Sequence, residues 1–373
     1  MKFNKNDILK YTSILFFTIF IFAMPLISIF TEDKSISTLE NKILQQLPRL
    51  SFDNVLSGKF MKEFDSYTND QFPFRSEFIK IKNSYSYCIG NREFRNIYVA
   101  NGKMLEKFIL NEDILNANVS SIYELSNSFK NNHDIDSTLM IIPTSIAFYE
   151  DFLPSYSVTD KQDIMFDKLK DVLKDSSLKF YTPYYTLLEN KDKYIYFNTD
   201  HHWTQLGASL AFDDMYNTNI SNSSTYTKVS DKFYGTYYSK AILPNVAGDS
   251  IYSYREFNNF DIQVDFSDKY DTLYSPLKLE GKNKYQYFLH GDPSFAVIDG
   301  NKNLDKEIII FKDSFAHNFI PMLTLNYSKI HVVDPRYYSG DINEYISSNN
   351  ITEALFIHNI QTLNEKNIYK NFK

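Results

Sequence analysis

From Tyr11 to Phe30 the chain runs twenty residues without a charge, YTSILFFTIFIFAMPLISIF. A helix of that length crosses the ~30 Å hydrocarbon core of a bilayer. Lys2, Lys5 and Lys10 precede the stretch, and Glu32 and Asp33 follow it. The positive-inside bias then makes residues 1–30 a cytoplasmic tip and a transmembrane signal anchor, with the remainder on the extracytoplasmic face of the cell membrane. A cleaved signal peptide is the competing reading. The stretch is long for one, and no A-x-A site follows it. No second stretch reaches spanning length, so the expectation is a single-pass protein with a large ectodomain.

The length, 373 residues, leaves room for two domains or one large one. A net charge of −7, with no basic run that outweighs its neighbouring acids, argues against a nucleic-acid partner. Cys88 is the single cysteine, which excludes an intrachain disulfide and any cysteine-rich metal site. No cofactor is expected.

Residues 31–110 read as a membrane-proximal, mostly helical stem. LSGKFMKEFDSYTNDQFPFR has apolar residues at helical spacing and breaks at Pro73. Residues 111–373 read as an α/β domain. TLMIIP (Thr138–Pro143) is a continuous apolar run of the kind a buried parallel strand requires. A helix with a Thr159/Gln162 capping box and an apolar face of Met165, Leu169, Val172 and Leu173 follows. LKFYTP is a second strand. Thr204 is a good N-cap for a helix carrying Ala208, Ala211, Phe212 and Met215. Residues 220–300 turn rich in Ser, Tyr, Asp and Gly and read as an irregular β insertion. EIIIFKD, KIHVVD and EALFIHN are then strands separated by short crossovers, which implies βαβ units and a parallel sheet. FAHNFIPMLTLNY reads as a helix that Pro321 kinks or restarts.

Ligands on such a sheet bind beyond the carboxyl ends of the strands. Ser314 follows EIIIFKD and opens the next helix, Asp334 and Arg336 follow KIHVVD, and Asn359 ends EALFIHN. A serine held there can serve as a nucleophile, with its own N–H turned toward a developing oxyanion. It needs a base. In NTDHHWTQLGA, Asp200 stands two residues before His202, close enough to bond Nδ1–H and fix the tautomer. The side-chain amide of Asn359 is a candidate second oxyanion donor. His317 lies one helical turn from Ser314. Each piece has a plain structural reading: a strand-end serine is usually a helix cap, a D-x-H is usually structural, and Trp203 is a core wedge. A zinc pair of His201 and His202 is disfavoured, because adjacent side chains point apart and no H-E-x-x-H or second dense ligand cluster exists.

TDHHWTQLGA together with KDSFAHNFIPML and YSKIHVVDPRYY resembles the DHHW family of membrane-anchored bacterial proteins, which are similar to the SGNH-hydrolase-like domains of the periplasmic alginate O-acetyltransferases. LENKILQQLP, FDSYTNDQFPFR, IIPTSIAFYEDFLP and FYGTYYSKA extend the resemblance over most of the chain after the anchor. It implies an SGNH-hydrolase-like three-layer α/β fold with a parallel sheet and permuted motif order, the D-x-H-W element coming before the serine. It also implies that Asp200, His202 and Ser314 work together. The usual serine block has Gly before Asp-Ser, where Lys312 stands here, and the oxyanion glycine has only Gly340 as a candidate. The implied activity is serine-dependent O-acylation, O-acetyl in kind, of a cell-surface or exopolysaccharide through an acyl-serine. A separate multi-pass membrane acyltransferase would supply the donor. A carbohydrate esterase would use the same triad, and a non-catalytic glycan-binding or scaffold protein would keep the fold without turnover.

Overall fold

A computed structural model of the chain describes residues 5–370 and 372. Met1–Asn4, which include Lys2 of the expected cytoplasmic tip, lie outside the described residues, as do Asn371 and Lys373. The chain divides into two compact units. The smaller holds residues up to Asn91 together with Ser239–Asn245; the larger holds Arg92–Tyr238 and Val246–Lys373.

In the smaller unit the apolar stretch is one helix, α1 (Lys5–Phe30), and none of its spanning segment is buried in protein. It fits a single-pass membrane anchor or a signal sequence. Two amphipathic helices follow, α2 (Lys59–Asp70) and α3 (Arg75–Cys88), and the break between them falls at Pro73. Partly buried ion pairs tie their junction: Arg75 donates twice to Glu40, at 2.9 and 3.1 Å, and Lys42 reaches Asp70 at 2.6 Å.

The larger unit is built on one eight-stranded sheet. Its strands are β1 (Asp136–Ile142), β2 (Leu178–Tyr181), β3 (Ile262–Val264), β4 (Asp268–Tyr270), β5 (Phe295–Asp299), β6 (Glu307–Lys312), β7 (Lys329–Val333) and β8 (Ile351–Asn359). The spatial order is β4-β3-β5-β7-β6-β8-β1-β2. The five strands from β7 to β2 are parallel, and β5, β3 and β4 extend that edge antiparallel. The parallel strands are continuous apolar runs because both faces are covered. On one face Phe129 of α4 (Glu112–His133) lies 5.7 Å from Phe311 on β6 and 6.3 Å from Phe356 on β8. On the other, Phe319 packs against Phe212 of α6 (Gln205–Tyr216) and against Trp203. This is the SGNH-hydrolase-like α/β arrangement expected.

Local expectations fare unevenly. Thr204 caps α6 as anticipated, its Oγ1 accepting from Gly207 N–H. The capping box does not form on α5 (Gln162–Leu173). Gln162 is buried, donating to Thr144 Oγ1 at 2.6 Å and accepting from its N–H, while Thr159 bonds to Phe108. Val172 faces solvent, and Phe166 takes the core position instead. The segment after Ser314 is two 3-10 turns, Ser314–Asn318 and Ile320–Leu325, since Pro321 has no N–H to carry one helix through. Residues 220–300 are not a separate insertion in space: β3, β4 and β5 join the main sheet, and only Tyr226–Phe233 and Asp249–Tyr254 form a ribbon of their own.

The Phe129–Phe311–Phe356 stack is fully buried. Phe311→Ala is expected to cost about 3–5 kcal/mol, seen as a lowered urea midpoint of Trp203 fluorescence.

Candidate active site

The loop before α6 and the turn after β6 are tied together at several points. Trp203, fully buried, donates its indole N–H to the Phe315 carbonyl at 2.7 Å. Asn318 returns a bond from its amide to the Trp203 carbonyl at 2.9 Å. The Asn198 and Thr199 N–H groups both donate to Asp249 on the ribbon at 2.8 Å, and Thr199 Oγ1 donates to the same carboxylate. On the serine side, one oxygen of Asp313 accepts from Phe315 N–H at 3.0 Å and the other from Asn359 N–H at 2.8 Å. Asp313 thereby caps the turn and locks the ends of β6 and β8 together.

These ties align three side chains. Asp200 Oδ1 lies 2.6 Å from His202 Nδ1, and His202 Nε2 lies 2.8 Å from Ser314 Oγ. Asp200 Oδ1 also accepts from His202 N–H at 3.0 Å, and Oδ2 accepts from Thr236 N–H at 2.8 Å. Burial pushes the Asp200 carboxyl up. The adjacent His201 and His202, the His202 hydrogen bond and the Thr236 N–H outweigh it and hold the group well below the usual carboxylate range. An ionised Asp200 keeps the imidazole proton on Nδ1 and leaves Nε2 free to accept from Ser314. Asp200 and His202 are buried, while Ser314 is partly exposed. The Ser314 N–H has no partner among the described residues.

The imidazole plane is clamped. Tyr285 stacks flat on it, centroids 3.6 Å apart and planes 9° apart, and donates its hydroxyl to the Ser314 carbonyl at 2.9 Å. The His201 ring lies 3.7 Å from the same imidazole, tilted 37°. Two rings that close cannot share a face, so His202 sits between Tyr285 and His201. His201 Nδ1 in turn bonds Thr236 Oγ1 at 2.7 Å. Asp200, His201 and His202 are near enough to suggest a cation site. Yet both nitrogens of His202 are engaged, so a cation there would have to break its bond to Asp200 or to Ser314.

The other candidates fall elsewhere. The Asn359 amide is not a spare oxyanion donor: it donates to the carbonyls of Ile142 and Pro143 at 3.1 and 3.3 Å, and its oxygen caps the following helix. Arg336 clamps Asp334 with two bonds, at 2.8 and 2.6 Å. The same carboxylate takes Lys312 Nζ at 3.0 Å, which also lies 3.0 Å from His317 Nε2. Burial, then the Lys312 charge, pushes His317 well below the ordinary histidine range. It is neutral at pH 7, with its proton on Nδ1. Gly340 lies on an exposed turn against the Tyr338 hydroxyl, and no recorded contact joins it to Ser314. Sequence reasoning missed Tyr285, Asp249 and Gly235. A Cβ on Gly235 would sit 2.2 Å from Asp200, so the backbone that delivers the Thr236 N–H has to be glycine there.

The fold is of the SGNH-hydrolase-like α/β class. The family model described as DHHW protein matches residues 89–333, and the chain belongs to that family. A DHHW family protein from Eubacterium siraeum is 22% identical, with a TM-score of 0.63 over 73% of this chain and 92% of that one. PatB1 of Bacillus cereus is also 22% identical, with a TM-score of 0.59 over 74% and 99%. The O-acetyltransferase domain of Pseudomonas putida AlgJ aligns more loosely, 11% identical with a TM-score of 0.45 over 73% and 93%. The first two likenesses show the fold. No curated protein matches the chain.

Two outcomes follow from this geometry. Gly235→Ala displaces Asp200, and a misplacement of about 1 Å costs on the order of a hundredfold in turnover. It should also abolish the downfield proton NMR signal of His202 Nδ1–H while Trp203 fluorescence stays native. The second concerns His358, fully buried beside Asp313 and bonded to the Tyr369 hydroxyl at 2.6 Å. Burial pushes its pKa down to about 4. The unfolded chain takes up this proton below about pH 6.5 and the folded chain only below about pH 4, so the stability is complete above 6.5 and drains as pH falls through that window. The loss reaches about 3 kcal/mol. Urea midpoints from pH 7.5 to 4.5 should show it, and His358→Gln should flatten the slope.

Proposed function

We propose that the chain is an extracytoplasmic, membrane-anchored O-acyltransferase acting on a cell-surface or exported polysaccharide. The observation that carries this reading is the Asp200–His202–Ser314 line, 2.6 and 2.8 Å between partners, at the carboxyl end of a parallel sheet. His202 Nε2 takes the Ser314 proton as Oγ attacks the carbonyl of an acyl donor. The Ser314 N–H, unpartnered among the described residues, faces the developing oxyanion. The tetrahedral centre collapses, the leaving group takes the proton from His202, and acyl-Ser314 remains. A sugar hydroxyl then gives its proton to His202 and attacks the acyl-serine; the ester bond to Oγ breaks and His202 returns the proton to Ser314. Asp200 stabilises the imidazolium formed in each half. An N-terminal span fits a site where an exported donor would emerge, supplied by a multi-pass membrane acyltransferase. An esterase uses the same residues with water as acceptor, so the product decides between them.

The test is hydrolysis of a chromogenic acetyl ester by the purified protein, with and without an oligosaccharide. Ser314→Ala and His202→Ala are each expected to lower turnover by roughly a thousandfold or more. A sulfonyl fluoride should add one adduct by intact mass to the native protein and none to Ser314→Ala; PatB1 has been solved with a sulfonyl adduct. Acetylated oligosaccharide among the products supports transfer, and free acetate alone supports the esterase. No adduct and no turnover from the folded protein, with unchanged polymer acetylation in cells carrying Ser314→Ala, would leave a binding or scaffold role.

A further inference from the structure

Along α3, Phe74, Phe78, Ile81, Tyr85 and Ile89 recur at helical spacing and form one stripe. They are 58, 38, 65, 67 and 68% exposed. The opposite face of α3 is already occupied within its own unit: Asn83 donates to the Ala241 carbonyl at 2.6 Å, and Ile79 and Ser86 are partly covered. The helix thus bares an apolar stripe beside exposed Glu77 and Lys82, against the usual preference of water for polar faces. Phe52, Leu56 and Met61 of the same unit are 77, 71 and 63% exposed. Apolar surface on this scale marks a contact with something other than water.

What covers the stripe is indicated by α1. Phe20 packs edge-on against Phe78, ring centroids 6.1 Å apart at 88°. Phe20 stands ten residues before Phe30, which is about 15 Å along a helix. Half the hydrocarbon thickness of a bilayer is also about 15 Å. If α1 spans a bilayer and leaves it near Phe30, a ring that touches Phe20 lies below the headgroups. We infer that α3 is an interfacial helix, sunk by its apolar stripe into the leaflet from which the ectodomain emerges, and that lipid acyl chains cover the stripe. The usual tilt of about 20° shortens this depth by only about 1 Å, so the Phe78 end of the stripe is its deepest part. Lys82 is exposed beside Ile81, and its long stem carries the ammonium up to headgroup phosphates. The stem then lies in the membrane surface and is not an upright stalk. This inference rests on α1 remaining attached and spanning. It is independent of the chemistry proposed for Ser314.

The single cysteine makes the test direct. The full chain, purified from membranes and checked by intact mass for the presence of α1, is placed one copy per nanodisc of phosphatidylcholine with a minority of phosphatidylglycerol. In a Cys88→Ser background, nitroxides are attached at Ile81→Cys and Tyr85→Cys on the stripe and at Ile79→Cys and Ser86→Cys on the covered face. Collision rates are read with oxygen, which concentrates in lipid, and with a water-soluble nickel chelate. The expected result is several-fold more collision with oxygen than with nickel at positions 81 and 85, and no such preference at 79 and 86. Nickel access at 81 and 85 equal to oxygen access puts the stripe in water and overturns the inference. Protection from both reagents means protein covers it, and a chain recovered without α1 removes the premise; either result also overturns it. Ester turnover by the same labelled proteins reports on Ser314 separately.

Discussion

One hydrogen bond, from the Trp203 indole to the Phe315 carbonyl, sets the distance on which the site depends. Trp203 belongs to the loop that carries Asp200 and His202, and Phe315 follows Ser314 directly. The indole is fully buried, so an unpaired N–H there would cost about 1–3 kcal/mol, and the pairing is enforced rather than optional. Asn318 closes the same junction from the other side through the Trp203 carbonyl. With both segments held at that point, the reach from His202 Nε2 to Ser314 Oγ follows from ordinary side-chain lengths. The Asp200–His202–Ser314 alignment is thus a by-product of core packing around Trp203, the residue next to His202 in sequence.

The region from 220 to 300 supplies the parts that make the alignment rigid. Asp249 gathers two backbone N–H groups and a hydroxyl from the loop. Gly235 lets the Thr236 N–H reach the second oxygen of Asp200. Tyr285 covers one face of His202 and grips the Ser314 carbonyl. Each contact joins residues tens of positions apart. The imidazole can therefore rotate little out of the Asp200–Ser314 line, and the entropy of placing it is met during folding.

This division explains what was legible in the sequence. Strands β1, β6, β7 and β8 were visible because burial on both faces writes a continuous apolar run, a signal local to the strand. Asp200 and His202 were visible because a carboxylate and a histidine two apart can bond without help from the rest of the chain. Ser314 was visible from its place after a strand. Tyr285 was not, since a tyrosine among many carries no local mark of the ring it will stack on. Asn359 was misread for a related reason: its position at a strand end was right, but the carbonyls that claim its amide lie on β1, more than two hundred residues away. Thr159 and Gln162 had the spacing of a cap, yet Thr144 offered Gln162 two bonds in a buried site, and tertiary contact overrode the local preference.

Lys312 is the sharpest departure from the expected serine block, and its surroundings give a reason for it. It is fully buried one residue before Asp313, and it reaches both Asp334 and His317. With Arg336 on the same carboxylate, two cationic side chains and one anionic one stand behind the strand end that carries Ser314. Burying such a group is expensive unless each partner is satisfied, and here Asp334 accepts from both cations. Burial first, and then the Lys312 ammonium at hydrogen-bond distance, hold His317 neutral. Only one histidine beside the serine is then placed to accept its proton. A glycine at position 312 would remove the cation and leave the acceptor face of His317 open, while burial would still disfavour its charged form. The lysine thus occupies the acceptor nitrogen of His317, and His202 is the histidine bonded to the Ser314 hydroxyl.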